Sequence, residues 1–260
     1  MSASLVGLGF ADIVALFGKW WWPFVRLTAA LWMMPMFGDS RVAMPVRILF
    51  SFLLSLLLAP MMPLMPAIDP FSLVALGVAL EQILFGVLLA LCLQLLFMVM
   101  SLMGQVLSIQ MGLAMASMND PVHGDSIPLL GELFLFLCIL LFLGLNGHLV
   151  VLDILVESFR AWPPGRSLYD LNIDVVLRLF GWALGAGLLI SLPAVVAMLL
   201  VNLTFGVMSR SAPALNVFSL GFPMALTLGL FTILLTLSGI SSRYMEFAAY
   251  VLDQMRGFVG

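Results

Sequence analysis

The hydrophobic pattern of this chain consists of long uncharged runs separated by short polar breaks. The longest, EQILFGVLLALCLQLLFMVMSLMGQVLSIQMGLAMASMND, holds 38 residues without a formal charge between Glu81 and Asp120. As continuous helix it would extend about 57 Å at ~1.5 Å per residue, nearly twice a hydrocarbon core of ~30 Å. One upright span is excluded. The run must tilt steeply, break near Gly104 or Gly112, or lie partly inside an assembly where apolar protein replaces lipid. Within it Gln94, Ser101, Gln105 and Ser108 are spaced i, i+7, i+11, i+14, a narrow stripe at 100° per residue that Gly112 and Asn119 would continue. Amides and hydroxyls suit a protein seam or a wet lumen better than lipid, and the pattern leaves both open.

The other segments also fit a bilayer badly. The first apolar segment runs from Leu5 to Phe37 and contains Lys19 and Arg26. Trp20, Trp21, Trp22 and Pro23 read as an interfacial aromatic belt. Arg26 belongs either near that interface or against a buried partner. The polar stretch GDSRVAMPVR is short enough for a turn between helices. From Ile48 to Ile68 there are 21 uncharged residues, but Pro60, Pro63 and Pro66 end regular helix near Ala59, which is too early for a span. Next, NDPVHGDSIP reads as a loop, and Leu133 to Leu152 as a helix that Asn146-Gly147-His148 ends or kinks. The longest polar stretch, ESFRAWPPGRSLYDLNIDVVLR, marks a boundary at Pro163, Pro164 and Gly165. Beyond it, Leu179 to Ser209 and Ser211 to Ser242 form one helical hairpin bent at SRSAPALN, and the end is an amphipathic helix outside the hydrocarbon.

Composition excludes a soluble globular domain: 63% of the 260 residues are hydrophobic and only 9% charged, so the expected fold class is an all-α membrane protein of several passes. The net charge of −3 is dispersed, which gives no basis for nucleic-acid binding or a polybasic lipid patch. Cys92 and Cys138 lie within apolar runs and read as buried free thiols. The N-terminus lacks a basic region and does not read as a cleaved signal peptide.

No catalytic constellation emerges, so the chain reads as a non-enzyme without cofactor. Gly7-Leu8-Gly9 has Asp12 where a dinucleotide fingerprint needs glycine, and His123 and His148 lack metal-ligand spacing. Glu81 is an acid embedded in apolar sequence, suited to an interfacial position or an interchain salt bridge, or to a proton relay. Met111, Met115 and Met118 share a helical face, as adaptable closing side chains or as ordinary packing.

The strings IQMGLAMASMNDP, IPLLGELFLFLCILLFLGLNGHLVVLDILVESFRAWPPG and SRSAPALNVFSLGFPMALTLGL resemble the FliR family of flagellar export components, over nearly the whole chain. The resemblance implies a core subunit of the type III export gate in the bacterial cytoplasmic membrane, at the flagellar basal body. There it would assemble with FliP and FliQ, contact other export apparatus proteins and lipid, and pass unfolded proteins. It further implies long hairpins with Pro/Gly-broken helices in a larger helical assembly, with residues 1–164 FliP-like and 165–260 a FliQ-like hairpin plus terminal amphipathic helix. The family's plug loop falls by motif on Gln110, Met111, Gly112, Leu113, Ala114, Met115, Ala116, Ser117, Met118, Asn119, Asp120 and Pro121. A virulence-secretion gate subunit and a small secondary transporter with broken helices are the alternatives.

Overall fold

A computed structural model describes residues 10–39, 42–63, 68, 72–113, 129–166, 171–211 and 217–259. Among them seven helices form and no strand: α1 (Phe10–Met33), α2 (Met44–Leu58), α3 (Leu73–Gln110), α4 (Leu129–Gly144), α5 (Gly147–Ala161), α6 (Ile173–Ser211) and α7 (Val217–Val259). The protein is an all-α membrane protein. Four helices are long and apolar enough to cross a bilayer, or five if α4 and α5 count as one span.

Punctuation in the sequence sets most helix ends. α2 stops at Leu58 and tightens into a single 3-10 turn, Ala59–Met61, because Pro60 and Pro63 cannot donate the backbone bonds that would continue it. Asn146, in the left-handed region at φ 57°, separates α4 from α5. Gly165 at φ 89° completes the turn after Pro163 and Pro164. Gly104, by contrast, does not break α3, which runs unbroken for 38 residues. Pro23, Pro193 and Pro223 likewise sit inside helices.

The helices contribute to two compact units. The first takes the chain up to Gln94, Asn146 to Leu179, and Val251 onward. There α1 and α2 form a hairpin whose turn is closed by Gly38 N–H on the Met34 carbonyl and by the Arg47 guanidinium on the carbonyls of Asp39 and Val42. α1 crosses α3 at Gly86, where a Cβ would meet Ala29 Cβ and Ala30 N at 3.1 Å. Trp22 is 2% exposed and packs with Ala75 and Val78 of α3. It therefore serves a protein core and not an interfacial belt. Val251, Met255, Phe258 and Val259 are buried too, so the chain's last turns continue α7 and pack as core.

The second unit holds Leu95 to Leu145 and Phe180 to Tyr250. Its core gathers Met103, Leu107 and Met111 of α3, Leu130 and Phe134 of α4, Ala194 and Met198 of α6, and Ala225 and Ile233 of α7. Glycines permit the closest approaches. A Cβ at Gly104 would lie 2.7 Å from the Leu130 carbonyl carbon, and one at Gly187 2.7 Å from Leu102 Cδ2. The hairpin of α6 and α7 is antiparallel: Trp182 packs on Phe247 and Tyr250, while Ala194 and Met198 share the cluster of Ala225 and Ile233.

Candidate functional site

The polar stripe lies on α3 and its four members occupy different surroundings. Gln94 is exposed, Ser101 and Gln105 are half-buried, and Ser108 is 1% exposed. Gln105 Nε2 donates to Ser101 Oγ at 3.2 Å, so each satisfies part of the other's polarity one turn away. Both face Gly131 of α4: a Cβ there would stand 2.9 Å from Gln105 Cγ and 3.6 Å from Ser101 Oγ. Ser108 Oγ has no hydrogen-bond partner among the described residues. The stripe's middle thus packs against α4 of this chain while remaining half-buried, and Gln94 is exposed.

The first four residues of the plug motif are described, while Ala114 to Pro121 lie outside the described residues, as do His123 and Gly124. α3 ends in a Schellman closure. Leu113 N–H donates to the Ser108 carbonyl at 3.0 Å and Gly112 N–H to the Ile109 carbonyl at 3.0 Å. That closure needs a left-handed residue, and Gly112 supplies it at φ 75°. Met111 is 1% exposed and lies across Gly229 of α7, where a Cβ would come within 2.6 Å of its Sδ and 2.7 Å of its Cε. Phe222 stands 3.6 Å from the Cβ position of Gly112, and Asn202 Nδ2 of α6 reaches the Gln110 carbonyl at 3.5 Å. Met111 is therefore spent on packing within the chain, whereas the sequence left it available to close a passage.

Sequence reasoning missed a second polar site, in the first unit. Arg26 is fully buried. Its Nε donates to Gln82 Oε1 at 2.8 Å, Nη1 to Ser158 Oγ at 2.9 Å and Nη2 to the Trp162 carbonyl at 2.8 Å. The guanidinium carbon lies 3.9 Å from the ring centre of Phe159 and 4.6 Å from that of Phe85, so the cation stands over two aromatic quadrupoles. Gln82 Nε2 in turn donates to Glu81 Oε1 at 3.1 Å, and Gly165 N–H donates to Glu81 Oε2 at 3.1 Å. Glu81 is 5% exposed and held by its own chain, which differs from the interfacial or interchain position expected of it. The available signal was the pairing of two lone, opposite charges in separate apolar runs; a buried ion persists when a partner meets it. Among the described residues no three His, Cys, Asp or Glu side chains gather as a metal site.

Residues 17–250 match the family model for bacterial export proteins, family 1. Flagellar biosynthetic protein FliR of Pectobacterium carotovorum subsp. carotovorum is 35% identical over 223 residues, 85% of each chain. The protein of the same name from Escherichia coli (strain K12) is 32% identical over 212 residues, 81% of each chain. That of Bacillus subtilis (strain 168) is 25% identical over 252 residues, 95% of this chain and 97% of its own. With its long apolar helices, the chain is a multi-pass membrane component of a bacterial export apparatus and belongs to bacterial export proteins, family 1, the family of the FliR proteins.

Proposed function

We propose that this protein is a pore-forming core subunit of the flagellar type III export gate in the cytoplasmic membrane. In this reading it assembles with FliP-family and FliQ-family subunits at the basal body and helps pass unfolded flagellar proteins. The observation that carries the assembly is the mismatch between apolar length and bilayer thickness. The apolar stretch of α6, Ile173–Met208, has 36 residues, about 54 Å of helix at ~1.5 Å per residue. A core of ~30 Å crossed at a steep tilt of ~40° accommodates only about 39 Å. Within an 18-residue apolar window of each helix, just 28% of α6 and 22% of α7 is buried within the chain. A bilayer of that thickness leaves part of each stretch uncovered, which supports burial against other subunits.

The division into a FliP-like region 1–164 and a FliQ-like region 165–260 belongs to the same proposal, supported by the turn at Pro163 to Gly165 and by the α6–α7 hairpin after it. So does the plug at Gln110 to Pro121, to which the stripe leads. The flagellar system is favoured over a virulence system by the names of the relatives. A transporter site calls for paired buried charges, and Arg26 and Glu81, joined through Gln82, are a buried pair. However, Arg26 is fully buried, makes three hydrogen bonds within the chain and stands over two rings, so it is not open to a solute.

The test is to purify a tagged copy from native membranes in mild detergent and identify its companions by mass spectrometry. Recovery with FliP-like and FliQ-like proteins is expected, and recovery as a lone homo-oligomer would overturn the reading. In the assembled gate, deletion of Met115 to Asp120 should raise leakage of small solutes; unchanged leakage would remove the plug assignment.

A further inference from the structure

We infer that the hairpin of α6 and α7 clamps the C-terminal turn of α3, so that the position of that turn is set by the hairpin and not by α3 alone. Three contacts make the clamp, all within one compact unit. Met111 fills the space that a side chain at position 229 would occupy, with Cγ closer still to the missing Cβ than Sδ at 2.6 Å and Cε at 2.7 Å. Gly229 is thus required by Met111 rather than by the helix, in which glycine is a poor former. Phe222, about two turns towards the start of α7, covers Gly112 at 3.6 Å. Asn202 of α6 meets the Gln110 carbonyl, which the helix end leaves without an intrahelical donor.

The Schellman bonds complete the device from inside α3. With Leu113 N–H and Gly112 N–H both engaged, the helix is closed at Gly112 and cannot extend past it. Met111 is anchored and Gly112 is the first residue with left-handed backbone freedom. Gly112 is therefore the pivot of the turn and Met111 its seat. A shift of α7 at Gly229 would move the pivot with it. On the export-gate reading above, on which this functional consequence rests, the C-terminal hairpin sets the base of the obstructing segment.

The experiment uses the gate co-expressed with its partners in native membranes. A Leu113→Cys variant reports the state of the turn through its rate of maleimide labelling, since Cys92 and Cys138 are buried. Gly229→Ala, introduced into that background, displaces Met111 and should raise the labelling rate several-fold. Met111→Ala alone removes the seated side chain and should also raise the rate. Adding it to Gly229→Ala should bring little further rise, whereas a full second increase would overturn the contact between the two positions. If Gly229→Ala does not accumulate, Phe222→Ala changes a side chain that is 43% exposed and reads the same clamp. Labelling that is unchanged by Gly229→Ala, or by Phe222→Ala in its place, would overturn the clamp. Solute leakage measured on the same membranes separates the two ideas: faster labelling without leakage keeps the clamp and rejects the plug.

Discussion

At the scale of single residues, Arg26 shows how an apolar chain tolerates a buried cation. Its donors diverge towards Gln82, Ser158 and the Trp162 carbonyl, a spread that a planar guanidinium covers and an ammonium cannot. Removing one partner of a buried charge leaves the other uncompensated, at about 3–5 kcal/mol. Arg26→Ala should therefore lower stability by that order, and Arg26→Lys should recover only part of it. Arg26→Met combined with Glu81→Gln should be less harmful than Arg26→Ala, because no lone charge remains. Thermal unfolding of the purified complex, followed by tryptophan fluorescence, ranks the three; equal melting of Arg26→Ala and the parent would reject the network's structural role. Gly104 offers a steric counterpart. A Cβ there meets the Leu130 carbonyl carbon at 2.7 Å and Phe134 Cδ2 at 2.8 Å, so Gly104→Ala must part α3 from α4, at about 1–3 kcal/mol.

At the scale of elements, the helices divide by how much of them the chain itself covers. Within an 18-residue apolar window α3 is 61% buried, against 17% for α2 and 28% for α6, so the chain itself covers most of that part of α3 and little of the other two. The glycines follow that division. Gly104 and Gly131 sit at tight crossings, whereas a Cβ at Gly181 or Gly185 on α6 would meet no heavy atom within 4 Å. Gly181→Leu should thus leave the chain's own packing intact. If the outer face of α6 is covered by another subunit, the same change should reduce recovery of companions in the pull-down at undiminished expression. Full recovery of companions would place the contact elsewhere on the helix. Helix existence was legible in the uncharged runs, and the stop of α2 was legible in its prolines, since proline acts through local geometry. The fate of Gly104 was not. A glycine weakens a helix by about 1 kcal/mol relative to alanine, and that cost is offset only when a neighbouring helix takes up the space.

At the scale of the whole molecule, overlong helices in one chain imply a surface built to be covered. Expressed without its partners, the protein should aggregate or require unusually rich detergent, because apolar stretches of 36 and 39 residues exceed what a bilayer or micelle of ~30 Å can shield. Monodisperse monomer on size exclusion in mild detergent would contradict this. Sequence by itself determined the membrane class, the helical fold, the family and most helix limits, because each rests on composition, ordered motifs or local backbone chemistry. Only the tertiary structure decided that Trp22 serves a core, that Arg26 and Glu81 are joined through Gln82, that Ser101 and Gln105 pack against α4, and that Met111 is seated on Gly229. Those outcomes join residues on different helices, and the Arg26 network also reaches Trp162, 136 positions away. Periodicity along one helix says which residues share a face, but not what that face meets.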